Sequence, residues 1–184
     1  SMANNELSGP VLMSELCSWL QSLESRKYNY RIVFLPETIG SIAYLSRHLD
    51  ELKNNVVAGY NLTCVGDDRC YSYVQTRNGN TLSDKIIKHV LKNVDENYKE
   101  YTFLHRGSDE RQYCSPNIDL PISTFCRSKF QEYPEYHTSL DDLNFISPTG
   151  LQGSFDVMTQ VLSCIENNIK VQLVTFCEPF LTKY

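Results

Sequence analysis

The chain holds 184 residues, about one domain's worth, and its 41% hydrophobic and 21% charged content fits a globular protein with a packed core rather than a disordered tract. Seventeen Lys and Arg stand against 22 Asp and Glu, a net charge of -5 with no basic run, which disfavours a nucleic-acid partner. No apolar stretch approaches the roughly 18 residues of a membrane span, and the first ten residues are too polar for a signal peptide, so a soluble chain without a membrane partner is expected.

Leu12, Leu16, Trp19, Leu20 and Leu23 recur at helical spacing, and Pro10 stands where a first turn tolerates a missing N–H, which predicts a helix over residues 9–25. Tyr30 to Leu35 is a continuous β-rich apolar run, the length of a strand covered on both faces, and it ends at Pro36. Ile39, Ile42, Ala43, Leu45, Leu49 and Leu52 predict a second helix. Strand-like runs follow at Val56 to Val65 and Tyr71 to Thr76. The turn Arg77-Asn78-Gly79-Asn80 leads into a helix with Leu82, Ile86, Ile87, Val90 and Leu91 on its inner face. Three further strands are expected at Tyr101 to Leu104, Ile122 to Phe125 and Val171 to Phe176, with a helix carrying Phe155, Met158, Val161, Leu162 and Ile165 between the last two. Such alternation implies a largely parallel sheet with helices on both faces. An α/β domain usually opens with a strand, yet a helix comes first here, so a preceding strand is expected to be missing.

Seven scattered cysteines, odd in number and without a C-x-x-C pair, point to reduced thiols and a cytoplasmic home. Cys17, Cys126, Cys164 and Cys177 sit in apolar stretches, where a thiol behaves as a small hydrophobe. The sequon Asn61-Leu62-Thr63 falls inside an expected strand and is set aside.

Binding groups of open α/β sheets gather beyond the carboxyl ends of the strands, which directs attention to the loops at 36–41, 63–70, 105–113 and 126–142. The densest polar constellation is Glu132-Tyr133-Pro134-Glu135-Tyr136-His137-Thr138-Ser139-Leu140-Asp141-Asp142. A histidine flanked by carboxylates can ligate a metal or shuttle a proton; a solvated loop with Thr138 or Ser139 as a cap is the plainer reading. His105 to Tyr113 carries alternating charges, suited either to a site or to internal ion pairs. Glu37, between Pro36 and Thr38, is placed for a general base and equally for a helix-start carboxylate. Asp67 and Asp68 after Gly66 suit metal ligation or a turn, and His48 and His89 on helical stretches receive no role.

Tyr136-His137-Thr138-Ser139-Leu140-Asp141-Asp142 resembles the closing histidine motif of the co-catalytic zinc aminopeptidases. Other segments agree in order: Ala3-Asn4-Asn5-Glu6-Leu7-Ser8-Gly9 is similar to that family's Ala-Asn-Asp-Asn-x-Ser-Gly, Phe34 to Gly40 to its Glu-Glu segment, and Ser108-Asp109-Glu110 to its Ser-Asp-His. The resemblance runs from residue 3 to about residue 168. It is tightest to the aminopeptidase-like domain encoded in bacterial surface-polysaccharide loci, through Thr38-Ile39-Gly40-Ser41, Leu62 to Asp67, Asp109 to Pro116 and Glu132 to Ser139. The resemblance implies a three-layer αβα fold with a mixed, mainly parallel sheet of the zinc aminopeptidase and phosphorylase-like type, present as one partial domain over residues 1–184. In that family a Cys-His-Pro precedes the position of Ser1, and relatives continue past Cys177-Glu178-Pro179 into a winged-helix region, so truncation at both ends is expected.

The resemblance also implies roles. Glu37 matches the general base. One zinc ion is expected, held by His137, the upstream histidine and a third group such as Asn5 or Asp109, with weak or no binding by this fragment alone. Glu110 or Arg111, with Tyr136, would orient the charged end of a peptide-like or aminoacyl substrate. Three positions depart from the pattern: the metal-bridging Asp falls on Asn5, the second Glu of the pair on Thr38, and the Asp of Asn-Leu-Asp on Thr63. Two full zinc sites would need those carboxylates. A metal-dependent aminopeptidase-like hydrolase acting on a peptide or amide linkage is therefore set beside a catalytically degenerate module binding a saccharide precursor or a protein partner, and beside a scaffold with no ligand.

Overall fold

The computed structural model describes residues 2–174 and 177. The helical periodicities form α1 (Ser8–Ser22), α2 (Ile39–Asn55), α3 (Leu82–Val94), the short α4 (Glu110–Tyr113) and α5 (Pro148–Asn167). Each long helix is stopped or started by its own chemistry. Thr81 and Asp84 cap α3 reciprocally, the Thr81 amide donating to Asp84 Oδ2 at 2.9 Å. Ser147 Oγ accepts the Gly150 amide at 2.9 Å at the head of α5, where Pro148 fills the position that lacks an orphan N–H. Ahead of α1, Ala3–Leu7 forms a single π-helical turn, a rare form that clusters at functional sites.

Four strands, β1 (Gly59–Leu62), β2 (Ser72–Val74), β3 (Lys99–Tyr101) and β4 (Ile122–Cys126), make one sheet in the order β1-β4-β2-β3. β1 runs parallel to β4 and β2 parallel to β3, while β2 and β4 are antiparallel. Strand alternation sends Phe125 and Tyr73 to one face, where Leu12, Leu16 and Leu20 of α1, Ile87, Val90 and Leu91 of α3, and Val157, Val161 and Ile165 of α5 cover them. Thr124 faces the other side, where α4 packs, and Leu45 and Leu52 of α2 join Leu120 and Ile122 there. The architecture is thus a three-layer αβα with a mixed, mainly parallel sheet. Burying each of those aliphatic side chains is worth about 1.5–3 kcal/mol.

Gly150 shows how tightly the layers meet. A Cβ there would stand 2.2 Å from the Gly66 carbonyl oxygen, so the head of α5 rests directly on the loop after β1.

Three strand expectations change. Tyr30 to Leu35 is not part of a ladder. A strand needs a neighbour at about 4.8 Å, and between this run and β1 lies an open groove. Side chains anchor the segment instead: Glu166 accepts the Lys27 amide and, at 2.5 Å, the Tyr30 hydroxyl, and Arg31 pairs with Glu51. The run at Tyr101 to Leu104 pairs only through Lys99–Tyr101, because Phe103–His105 tightens into a 3-10 turn closed by the His105 amide on the Thr102 carbonyl at 2.9 Å. Of Val171 to Phe176, residues 171–174 carry no strand, and 175 and 176 lie outside the described residues.

The open edge of β1 and the exposed Ile169, Val171, Leu173 and Val174 have a consequence for behaviour in solution. The chain should self-associate as its concentration rises, and the pair Val171→Lys with Leu173→Lys should weaken the association. Light scattering across a dilution series checks this; a clean monomer at every concentration would contradict it.

Candidate active site

A groove of about 1460 Å³ runs between the extended Tyr30–Leu35 segment and β1 and reaches the carboxyl end of the sheet. Its floor is apolar, with Leu16, Leu20, Met158 and Leu162. At its polar end stand Asn5, Glu37, Thr63, Asp109 and His137, from five separate segments. This is where open α/β sheets place their binding groups.

Polar pairing, much of it buried, holds these segments in place. Asp141, buried, accepts the backbone amides of Asn4 at 2.6 Å and Asn5 at 3.1 Å, fixing the π turn. Its Oδ2 also accepts the Tyr133 hydroxyl at 3.3 Å. Asp67, fully buried, accepts the Ser128 amide at 3.0 Å, the Ser128 hydroxyl at 2.8 Å and Asn4 Nδ2 at 3.0 Å. Asn4 Oδ1 in turn accepts the Gly66 amide at 2.7 Å. The two aspartates therefore tie the π turn to the loops after β1 and β4. Arg69 and Glu135 add a bidentate pair at 2.7 and 2.9 Å that anchors the histidine loop to the loop after β1, and Arg69 holds the Glu135 carboxyl below the usual carboxylate range.

The residues singled out from the sequence take different places. Asn5, Glu37, Asp109 and His137 share the groove. His137 is exposed, adopts a φ of 56°, and stacks on Tyr136 with ring centroids 3.9 Å apart. Arg111 adjoins the site by donating to Thr38 Oγ1 at 2.5 Å. Glu110 turns inward: fully buried, it accepts the Gly107 amide at 2.7 Å and the Thr124 hydroxyl at 2.7 Å, so its carboxyl is committed to α4 and β4 rather than to the groove. Asp109 Oδ1 accepts the Thr38 amide at 2.7 Å and the Ser41 hydroxyl at 2.9 Å.

Titration narrows the chemistry. Burial pushes the Cys64 thiol up to about 12, so it stays protonated at neutral pH and is no nucleophile, although it lies 3.6 Å from Asn5 Oδ1. Burial, then Cys64 and Glu37, push the Tyr136 phenol up to about 12, which keeps it a neutral hydrogen-bond donor.

Among the described residues no group of three or more His, Cys, Asp or Glu is arranged to hold a metal. Asp67 and Asp141 are engaged by N–H and O–H donors, Asn5 offers a neutral amide, and His137 is the one imidazole in the groove. A catalytic zinc needs about three protein ligands. The residues present therefore do not fit a zinc ion by themselves.

Residues 1–168 match the family model described as Domain of unknown function (DUF4910). The chain belongs to the DUF4910 family. A relative from Clostridium acetobutylicum, named for polysaccharide biosynthesis and an aminopeptidase-like domain, is 42% identical over all 184 residues, which make up 42% of its length. A crystal structure of a protein from the same organism, titled a peptidase, superposes with a TM-score of 0.87 at 41% identity, over 100% of this chain and 43% of that one. The zinc aminopeptidase of Bacillus subtilis shares the fold at 22% identity, with a TM-score of 0.73 over 93% of this chain and 44% of its own. This DUF4910 chain thus shares the fold of the aminopeptidase structures and spans about two fifths of the length of its Clostridium relatives. Among its described residues no helix is long and apolar enough to cross a membrane.

Proposed function

We propose that this DUF4910 domain bears the proton acceptor of an aminopeptidase-like hydrolase that cleaves a peptide or amide linkage, in a protein concerned with polysaccharide synthesis. The observation that carries this reading is the position of Glu37: an exposed carboxylate in the groove that holds His137, adjoining the neutral Tyr136 phenol. In this reading Glu37 takes the proton of the attacking water, and Tyr136 and Arg111 orient the charged end of an aminoacyl or peptide-like substrate. The apolar floor of Leu16, Leu20 and Met158 accommodates a hydrophobic side chain.

The Bacillus subtilis protein that shares the fold is a zinc aminopeptidase, and zinc is the metal we infer for the whole protein, with ligands beyond those described supplementing His137. This chain by itself, purified without added metal, should therefore hold far less than one zinc per chain. Elemental analysis returning one tightly held zinc per chain would contradict that expectation.

A second reading, a binding module for a saccharide precursor or protein partner, is favoured by the neutral residues Asn5, Thr38 and Thr63 and by the full engagement of Asp67 and Asp141 inside the fold. The test, on the whole protein, is hydrolysis of an aminoacyl-substrate panel with added zinc, alongside calorimetric titration with nucleotide-sugar precursors. Hydrolysis supports the enzyme reading. Saccharide binding without turnover overturns it in favour of the module.

A further inference from the structure

Thr38 follows Glu37 of the groove directly and has a strained backbone. Its φ of 65° and ψ of -67° place a β-branched side chain in the left-handed half of the map, where such residues are genuine outliers. The Ile39 amide donates back to the Glu37 carbonyl at 2.8 Å, so residues 37–39 form a γ-turn of the rare, strained hand. The corner is confined on both sides: Pro36 precedes it, and a Cβ on Gly40 would stand 2.8 Å from Leu35 Cβ. Strain of this kind persists only where the surroundings over-determine it. Here the surroundings come from about 70 residues away. Asp109 Oδ1 accepts the Thr38 amide at 2.7 Å, the Ser41 hydroxyl bridges Asp109 Oδ1 and the Thr38 carbonyl at 2.9 Å each, and Arg111 donates to Thr38 Oγ1 at 2.5 Å.

Glu37 itself has no hydrogen-bond partner for its carboxyl among the described residues, so the backbone of the turn is what holds it at the groove. We propose that Thr38, Asp109 and Arg111 are positioning residues for Glu37: the carboxyl and guanidinium clamp a strained turn whose geometry sets where that carboxylate stands. The inference deepens the hydrolase reading, on which the catalytic part of its test rests. It also gives Asp109 and Arg111 a task that does not require them to touch metal or substrate.

Two readouts test it: order parameters on this chain, and turnover on the whole zinc-equilibrated protein. Backbone ¹⁵N order parameters report the clamp without any activity: Glu37 and Thr38 should show about 0.85 in the wild type and fall below about 0.6 in Asp109→Ala, whereas Asp109→Asn, whose amide oxygen still accepts from Thr38, should keep them high. Turnover reports the consequence. Thr38→Gly and Asp109→Ala should lower kcat at least tenfold with KM held within about twofold, and Thr38→Ser, which keeps the hydroxyl for Arg111, should recover most of the loss. A mobile wild-type turn, or an Asp109→Ala turn as rigid as the wild type, overturns the clamp. A loosened turn with undiminished kcat overturns the positioning role. A wild type that hydrolyses nothing defeats the hydrolase reading, and the order parameters then decide the clamp alone.

Discussion

Asp67→Ala is expected to lower the thermal midpoint of the chain by about 8–16 °C. The carboxyl is fully buried, and its removal strands the Ser128 amide, the Ser128 hydroxyl and Asn4 Nδ2 without partners. Each buried donor left unpaired costs about 1–3 kcal/mol, so a sum near 4 kcal/mol is a fair expectation. In a domain of this size each kcal/mol moves the midpoint by about 2–4 °C. Its neighbour provides the control. Among the described residues Asp68 accepts only the Ser147 hydroxyl, at 2.9 Å in an exposed setting, and Asp68→Ala should cost less than about 1 kcal/mol. Thermal unfolding followed by circular dichroism compares them. Equal midpoints for the two variants would show that the Asp67 network does not hold the site together.

Glu37→Gln is expected to depress turnover by about 100-fold to 10,000-fold, the usual worth of general-base assistance. Glutamine keeps the size and the hydrogen-bonding oxygen of the side chain but does not take up a proton at neutral pH. Because the Glu37 carboxyl is exposed, its loss should leave the thermal midpoint unchanged, which separates a chemical effect from a structural one. Initial rates and unfolding curves on one preparation check both halves of the expectation. Undiminished turnover would remove Glu37 from the role and leave hydrolysis to another group.

The helices were legible because each carries its own evidence. The apolar positions Ile86, Ile87, Val90 and Leu91 recur at helical spacing within α3, and no distant residue is needed to see them. The run at Tyr30 to Leu35 was opaque for the opposite reason: a β-rich run becomes a strand only when a neighbour pairs with it, and pairing is a non-local fact. The site divides in the same way. Glu37, Asn5, Asp109 and His137 stand in one groove; residue type and loop position drew attention to Glu37 and His137, while Asn5 and Asp109 were singled out only through the resemblance to the zinc aminopeptidases. The inward turn of Glu110 was not visible, since a four-residue helix leaves no periodicity from which to read a face. Nor was the work of Asp67 and Asp141. The partners through which they tie the segments together, Asn4, Asn5 and Ser128, lie 61 to 137 positions away, and Gly66-Asp67-Asp68 reads locally as a turn. The signal for Asp141 lay in its spacing from His137, four residues on, within the motif that resembles the closing one of the zinc aminopeptidases.

The most direct test of Glu37 as proton acceptor measures zinc content and initial rate on the same zinc-equilibrated samples of the whole protein, about two fifths of whose Clostridium relatives' length this chain spans, as wild type, Glu37→Gln and His137→Ala. The account predicts that Glu37→Gln keeps the metal content of the wild type and loses turnover, while His137→Ala loses both. Full turnover in Glu37→Gln, or a zinc-loaded wild type that hydrolyses no member of an aminoacyl panel, would contradict it.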